Sequence, residues 1–192
     1  MKILAVNGSP RPNGNTAVMM GWAAGELNKA GVEVETVQIG GHLVAGCKAC
    51  GVCGQKRDRR CAQDQDPVNG IIAKMIEADG LILGSPVYFS DMTPELKALI
   101  DRAGFVTLWN GGLMERKVGA AVVVARRAGQ VHTYDSINHF FGITSMFTVG
   151  SIYWNLGVGR EAGEVSKDEE ARRTMQSLGE NMAWLLNKIH QG

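Results

Sequence analysis

The feature that most restricts the fold of this chain is the alternation of short apolar runs with helical hydrophobic stripes. Five apolar runs predict strands, and a stripe of helical periodicity follows each run. The runs span residues 2–7, 32–36, 80–84, 118–125 and 146–151. Alternating strands and helices form a parallel sheet with helices on both faces. The second run alternates apolar with acidic residues, as an edge strand does. This pattern favours an α/β fold with a doubly wound five-stranded sheet of order 2-1-3-4-5.

Length and composition restrict the class of protein. The chain has 192 residues, a formal net charge of +1 and 45% hydrophobic residues. These values predict a single domain over 1–192 with a Gly- and Cys-rich loop at about 40–66. The near-zero charge argues against a nucleic-acid partner or a polybasic membrane protein. No run of 18 apolar residues is present, and the first residues do not resemble a signal peptide. We therefore expect a cytoplasmic protein without a membrane or nucleic-acid partner.

A polar loop over residues 8–16 joins the first strand to the first helix and carries the donors that a phosphate group needs. Backbone amides at such a helix start, together with the helix dipole, attract anions. The loop lacks both the Walker sequence and the GxGxxG dinucleotide fingerprint. We therefore expect it to bind a phosphate rather than to be an ordinary polar turn. The side chains predicted to contribute are Ser9, Arg11, Asn13, Asn15 and Thr16.

Two further loops are predicted at the same edge of the sheet. In the order 2-1-3-4-5, the loop after the third strand faces the phosphate loop across the topological switch point. Its apolar and aromatic character suits a flat ring with a phosphate tail, and its residues are Pro86, Val87, Tyr88, Phe89 and Ser90. The loop after the fourth strand could flank the ring or bind an anionic cofactor, and a solvated pair of arginines is the alternative. Its candidate residues are Arg126, Arg127, Gly129 and Gln130.

The four cysteines fall within 15 residues, in the order Cys47, Cys50, Cys53 and Cys61. Two successive CxxC steps bring three thiolates close together, and cubane iron–sulfur clusters often use such runs. Zinc also takes four cysteines, but its sites usually present two separated CxxC pairs. The pattern favours a 4Fe-4S cluster, while three alternatives remain open: zinc, a surface loop without metal, and a redox role for the thiols. We expect this loop to lie beside the phosphate and ring site.

Several of these motifs together resemble those of NAD(P)H-dependent FMN reductases with the flavodoxin-like fold. The first runs from Ile3 to Arg11 and continues with Gly14-Asn15-Thr16, and the second runs from Ala78 to Lys97. A third comprises Gly163-Glu164-Val165 and Asp168-Glu169-Glu170. The cysteine run resembles the cluster motif of the iron–sulfur flavoprotein branch of that family.

The resemblance implies a noncovalent FMN, with its phosphate on the first loop and its ring between the second and third loops. The flavin would carry the chemistry, so no catalytic side chain is expected. The sequence departs from the family pattern at Arg126-Arg127-Ala128, where many relatives have a Gly-rich stretch. The family also implies a homodimer or homotetramer in which the cysteine loop of one subunit approaches the FMN of another. An apolar stretch between 105 and 114 is the expected interface patch.

We therefore predict an FMN-dependent oxidoreductase that passes electrons between a reduced donor, FMN and a 4Fe-4S cluster. The donor would be NAD(P)H or a redox protein such as ferredoxin. One alternative is an NAD(P)H-dependent FMN or quinone reductase without a cluster. The other is a non-catalytic flavodoxin-like electron carrier.

Overall fold

One parallel sheet with helices on both faces makes up the computed structural model, which describes residues 1–190. The strands are β1 (Lys2–Asn7), β2 (Glu33–Gln38), β3 (Gly80–Pro86), β4 (Val118–Ala125), β5 (Phe147–Thr148) and β6 (Leu156–Val158). The helices are α1 (Asn15–Lys29), α2 (Val52–Lys56), α3 (Val68–Glu77), α4 (Pro94–Trp109), α5 (Gln130–Ile143) and α6 (Glu169–His190), and a 3₁₀ helix spans Glu164–Lys167. Within these residues, no helix combines the length and the apolar character needed to cross a membrane.

The strand order is β2-β1-β3-β4-β5, with every pair parallel, which confirms the predicted flavodoxin-like doubly wound fold. The register pairs Asn7 with Gly84 and Gly84 with Val122. The carboxyl ends of β1, β3 and β4 therefore lie at one edge of the sheet. The loops that follow these three strands leave the sheet together, and this arrangement positions the candidate site.

The predicted fifth strand over 146–151 differs from the structure. Only β5 forms there, pairing with the start of β4 through Phe147 and Val118. The chain then leaves the sheet and returns as β6, which pairs with the end of β4 through Leu156 and Val123. The carbonyl of the fully buried Asn155 accepts the Val123 amide at 3.0 Å, which fixes the point of return. Two short strands thus replace one continuous strand at this edge, giving six strands in all among residues 1–190.

Two apolar layers cover the two faces of the sheet. Along β1, Ile3 and Ala5 pack under α1 and α6, whereas Leu4 and Val6 pack under α3, α4 and α5. Successive side chains of a strand point to opposite faces, so burial on both sides requires a continuous apolar run. The fully buried β4 shows the same property.

Ser166 and Glu169 have the sequence spacing of a capping box, but Ser166 lies inside the 3₁₀ helix and does not cap α6. The carboxylate of Asp168 instead accepts the Ala171 amide at 3.0 Å at the start of α6. The first part of the apolar stretch between 105 and 114 belongs to α4, which continues to Trp109 and buries Val106.

Candidate functional site

A cavity of about 210 Å³ opens at the carboxyl ends of β1, β3 and β4. This is the switch-point crevice in which open α/β sheets bind their ligands. We call it the arginine cavity. Its lining residues are Ser9, Arg11, Gly14, Asn15, Thr16, Pro86, Val87, Tyr88, Val124, Ala125, Arg126, Gly159 and Arg160. The structure therefore brings residues from all three predicted loops to one place.

The charged side chains that line this cavity are Arg11, Arg126 and Arg160. Gly14 is the N-cap of α1, and no side chain among residues 1–190 caps the first amides of that helix. Uncapped amides and the positive end of the helix dipole both favour an anion. The arginine charges and the uncapped start of α1 thus both favour a bound anion, and the cavity suits a phosphate group.

The phosphate loop is held in shape by its own hydrogen bonds. The Ser9 amide donates to Asn7 Oδ1 at 3.0 Å, and the Arg11 amide donates to Ser9 Oγ at 3.2 Å. The Thr93 hydroxyl donates to the carbonyl of Gly8 at 2.8 Å. These contacts order the loop without a ligand, so less conformational entropy is lost when an anion binds.

Asn15 lines the arginine cavity and also holds a neighbouring loop. Its Nδ2 donates to the Glu161 carbonyl at 2.9 Å, and its Oδ1 accepts the Val165 amide at 3.2 Å. A Cβ on Gly159 would come within 2.8 Å of Asn15 Nδ2, so this approach requires glycine. Asn15 therefore holds the loop that follows β6 against the start of α1 and places Arg160 in the cavity.

Sequence reasoning missed Gly159 and Arg160. The available signal was their position after a strand that ends at the same sheet edge. That strand, β6, has only three residues and lacks the apolar run that revealed the other strands.

The loop after β3 forms a tight turn beside the cavity. Tyr88 and Asp91 exchange backbone hydrogen bonds of 2.8 and 3.1 Å. Between them, Phe89 and Ser90 have positive φ angles of 49° and 69°, a conformation that is uncommon for residues other than glycine. The Phe89 side chain is fully exposed. An exposed aromatic side chain on a strained turn next to a cavity is a feature of ligand-binding loops.

Six predicted site residues do not line the arginine cavity: Asn13, Phe89, Ser90, Arg127, Gly129 and Gln130. Arg126 lines it whereas Arg127 does not, although both side chains are exposed. Gln130 instead lines a separate cavity with Tyr153 and Trp154.

The four cysteines line a second cavity, of about 60 Å³, together with Arg102, Phe105, Val106 and Trp109 of α4. All four are free thiols. No group of three or more His, Cys, Asp or Glu side chains within 1–190 converges to hold a single metal ion. Thiolates are the ligands of iron–sulfur clusters, and zinc also takes four of them. The donor set around this cavity, which we call the cysteine cavity, therefore fits a cluster in the type of its ligands.

The cysteine loop packs closely against α4. A Cβ on Gly54 would come within 2.2 Å of the Trp109 ring, so only glycine allows this approach. Burial raises the pKa of the Cys53 thiol against the opposing effect of backbone hydrogen bonds. Metal ligands are thiolates, so a bound metal would have to stabilise the charged form of Cys53, which burial disfavours.

The two cavities are separated within one chain. The cysteine loop starts near the phosphate loop, where the Gly41 amide donates to the Glu95 carboxylate at 3.3 Å. Its cysteines, however, contact α4 between Arg102 and Trp109. These residues lie about 12 to 22 Å along the helix axis from Pro94, where α4 begins. No residue between 1 and 190 lines both cavities, so within one chain the cysteines contact α4 rather than the phosphate loop.

Comparisons with known proteins indicate a flavin protein, a class that the arginine and cysteine cavities suit. The family model described as NADPH-dependent FMN reductase matches residues 1–161. An iron-sulfur flavoprotein of Methanocaldococcus jannaschii is 36% identical, over 98% of this chain and 99% of that protein. An iron-sulfur flavoprotein of Methanosarcina thermophila is also 36% identical, over 93% and 95%.

Among solved structures, RosB with the bound intermediate 8-demethyl-8-formylriboflavin-5'-phosphate shares the fold. The TM-score is 0.77 with 17% sequence identity. The match covers 100% of this chain and 81% of that one.

Proposed function

The chain belongs to the NADPH-dependent FMN reductase family and is a flavin oxidoreductase, and we propose that it passes electrons between a reduced donor, FMN and a 4Fe-4S cluster. The observation that carries the proposal is the presence of two chemically distinct cavities. One is lined by three arginines at the carboxyl edge of the sheet, and the other by four cysteines of the loop that packs against α4. A bound flavin exchanges one or two electrons and a cluster exchanges one, so the pair links hydride donors with single-electron carriers.

We place the FMN phosphate in the arginine cavity at the start of α1. Arginine binds phosphate through paired, charge-assisted hydrogen bonds, and Arg11, Arg126 and Arg160 surround this position. Ser9 and Thr16, both buried, add hydroxyl groups in the lining. Asn15 contributes through the loop that it holds, and the exposed Asn13 would contact the phosphate only if it rotated inward.

The flavin ring is proposed to extend beyond this cavity. A volume of about 210 Å³ is below the roughly 300–1,000 Å³ of sites that enclose a whole ligand of this size. The ring would lie along the segment 86–90 on one side and the segment 126–130 on the other. The exposed aromatic rings of Tyr88 and Phe89 suit stacking on a flat heterocycle.

The cluster is proposed to bind Cys47, Cys50, Cys53 and Cys61. Four free thiols around one cavity supply the ligands, and the loop between the cysteines contributes positive charge. Lys48, Lys56, Arg57, Arg59 and Arg60 are all exposed there. They would offset the negative charge of four thiolates and would favour the approach of an acidic electron carrier such as ferredoxin.

A second subunit would bring the two cofactors together. Within one chain the cysteines lie well along α4 from the arginine cavity, so we propose a homodimer or homotetramer in which one cysteine loop faces a neighbouring FMN. The exposed side chains of Phe105, Leu108 and Trp109 lie next to the cysteine cavity and supply an apolar contact area.

The test of the cofactor set is anaerobic purification, followed by assay of FMN, iron and acid-labile sulfide and by visible spectroscopy. We expect one FMN and about four irons and four sulfides per chain. Cys50→Ser should lose iron and keep FMN, whereas Ala62→Ser, in the lining of the same cavity, should keep both. FMN without iron or sulfide in the wild type would leave the reductase without a cluster. Absence of FMN would reject the flavin assignment.

The donor is tested by anaerobic stopped-flow mixing with NADPH, NADH and reduced ferredoxin in turn. Rapid bleaching of the flavin by a nicotinamide nucleotide supports a reductase. Fast reduction by ferredoxin alone would instead support the electron carrier.

A further inference from the structure

Arg102 of α4 has a fully buried side chain. A buried charge is stable only when it is paired and hydrogen-bonded, so its partners indicate why it is there. Its Nε donates to Cys61 Sγ at 3.3 Å, and one terminal nitrogen donates to the Gln63 carbonyl at 2.7 Å. The other terminal nitrogen donates to the Ala45 carbonyl at 3.2 Å and forms an ion pair with Asp66. All four partners belong to the cysteine loop.

These contacts close the loop around its cysteines. Ala45 precedes the first cysteine and Asp66 follows the last, and one guanidinium binds both ends. Asp66 reinforces the closure, because its carboxylate also accepts the amides of Ala45 and Val68, each at 3.2 Å. Closing a loop of about twenty residues costs conformational entropy. The hydrogen bonds and the ion pair of Arg102, on the regular helix α4, offset this cost.

The Cys61 contact gives Arg102 a second effect. Reduction potentials of iron–sulfur clusters depend on hydrogen bonds to sulfur and on nearby charge. One-electron reduction adds one negative charge to the cluster, and a buried guanidinium that donates to a ligand sulfur favours that change. The carboxylate of Asp66 acts in the opposite direction.

We propose that Arg102 is a positioning residue that closes the cysteine loop before the cluster binds and that raises the reduction potential of the bound cluster, whereas Asp66 lowers that potential. This inference rests on the cluster of the proposed function. The proposal assigns opposite effects on the reduction potential to Arg102 and Asp66, which contact each other. General destabilisation of the loop would not shift the potential in opposite directions in variants of these two residues.

The test compares Arg102→Gln, Arg102→Lys and Asp66→Asn, with Lys97→Gln as the matched control. Lys97 is an exposed cation on the same helix, paired with Asp101 at 2.6 Å on the surface. Each reconstituted full-length protein is titrated anaerobically with dithionite, which supplies the electrons, and the cluster is followed by electron paramagnetic resonance. The midpoint potential should become more negative in Arg102→Gln and less negative in Asp66→Asn. It should stay unchanged in Lys97→Gln.

The positioning part has its own readout in the FMN-loaded chain before iron is added. Hydrogen exchange over residues 45–66 should be faster in Arg102→Lys than in the wild type, with exchange in β4 unchanged. Equal exchange over 45–66 would overturn positioning, and equal midpoint potentials in Arg102→Gln and Asp66→Asn would overturn tuning. Wild-type protein that takes up no iron or sulfide would instead reject the cluster itself, a result separate from both.

Discussion

Arg126 and Arg127 are neighbours in sequence, yet they face different surroundings. Both follow the buried strand β4, but Arg126 lines the arginine cavity and Arg127 does not. Asn15 shows the same dependence on surroundings, since its amide holds the loop of Glu161 and Val165 rather than standing free. At the scale of single residues, adjacency in sequence does not decide which of two similar residues lines the cavity.

The arginine pair gives a direct test of the phosphate site. Arg126→Gln should raise the dissociation constant of FMN about tenfold, because it removes a charge-assisted contact worth about 1.5 kcal/mol. Arg127→Gln, the matched control, should change it little. Fluorescence titration of the FMN-free protein measures both, and added salt should reduce the difference. Equal weakening in the two variants would contradict the placement of the phosphate.

At the scale of elements, charged side chains join the edge of the sheet to its neighbours. Glu35 of β2 contacts Lys2 of β1 at 2.7 Å and also pairs with Lys74 of α3. The hydrogen bonds from these two lysines lower the pKa of Glu35. A carboxylate with a lowered pKa stabilises the fold above its ordinary pKa, and this stabilisation is lost as the pH falls through the lowered value.

Glu35→Gln should therefore reduce the acid sensitivity of the fold. Between pH 7 and pH 3 the urea midpoint should fall less in this variant than in the wild type, since the variant has no carboxylate at position 35 to protonate. Glu33→Gln is the matched control, because Glu33 lies on the same strand, is 71% exposed and is 4.0 Å from Lys2. An identical fall in wild type and Glu35→Gln would show that the contacts of Glu35 do not contribute.

At the scale of the whole molecule, the two faces of the sheet expose apolar side chains in different ways. On the face covered by α3, α4 and α5, Phe105 and Trp109 form an edge-to-face pair with ring centroids 5.3 Å apart, and Leu108 lies between them in sequence. All three are exposed next to the cysteine cavity. On the opposite face, α6 carries the exposed Trp184.

If the assembly forms through the α4 face, Leu108→Glu should shift it toward monomer, because a buried carboxylate at an apolar contact is unfavourable. Trp184→Glu, on the other face, should leave the oligomeric state unchanged. Sedimentation velocity measures both variants against the wild type. A shift caused by Trp184→Glu alone would move the proposed interface to α6.

The sequence by itself determined the fold class and predicted the phosphate loop and the cysteine site, because periodicity and motif spacing are local properties of the chain. Ser9, Arg11, Thr16, Pro86, Val87 and Tyr88 were all predicted and all line the cavity. The division of the last strand, the role of Asn15 and the presence of Arg160 were decided only by tertiary structure. So were the separation of the two cavities and the contact of Arg102 with Cys61. Asn15 and Glu161 are 146 positions apart, and Arg102 and Cys61 are 41 apart. Such contacts form only when distant elements pack, so no local pattern of residues specifies them.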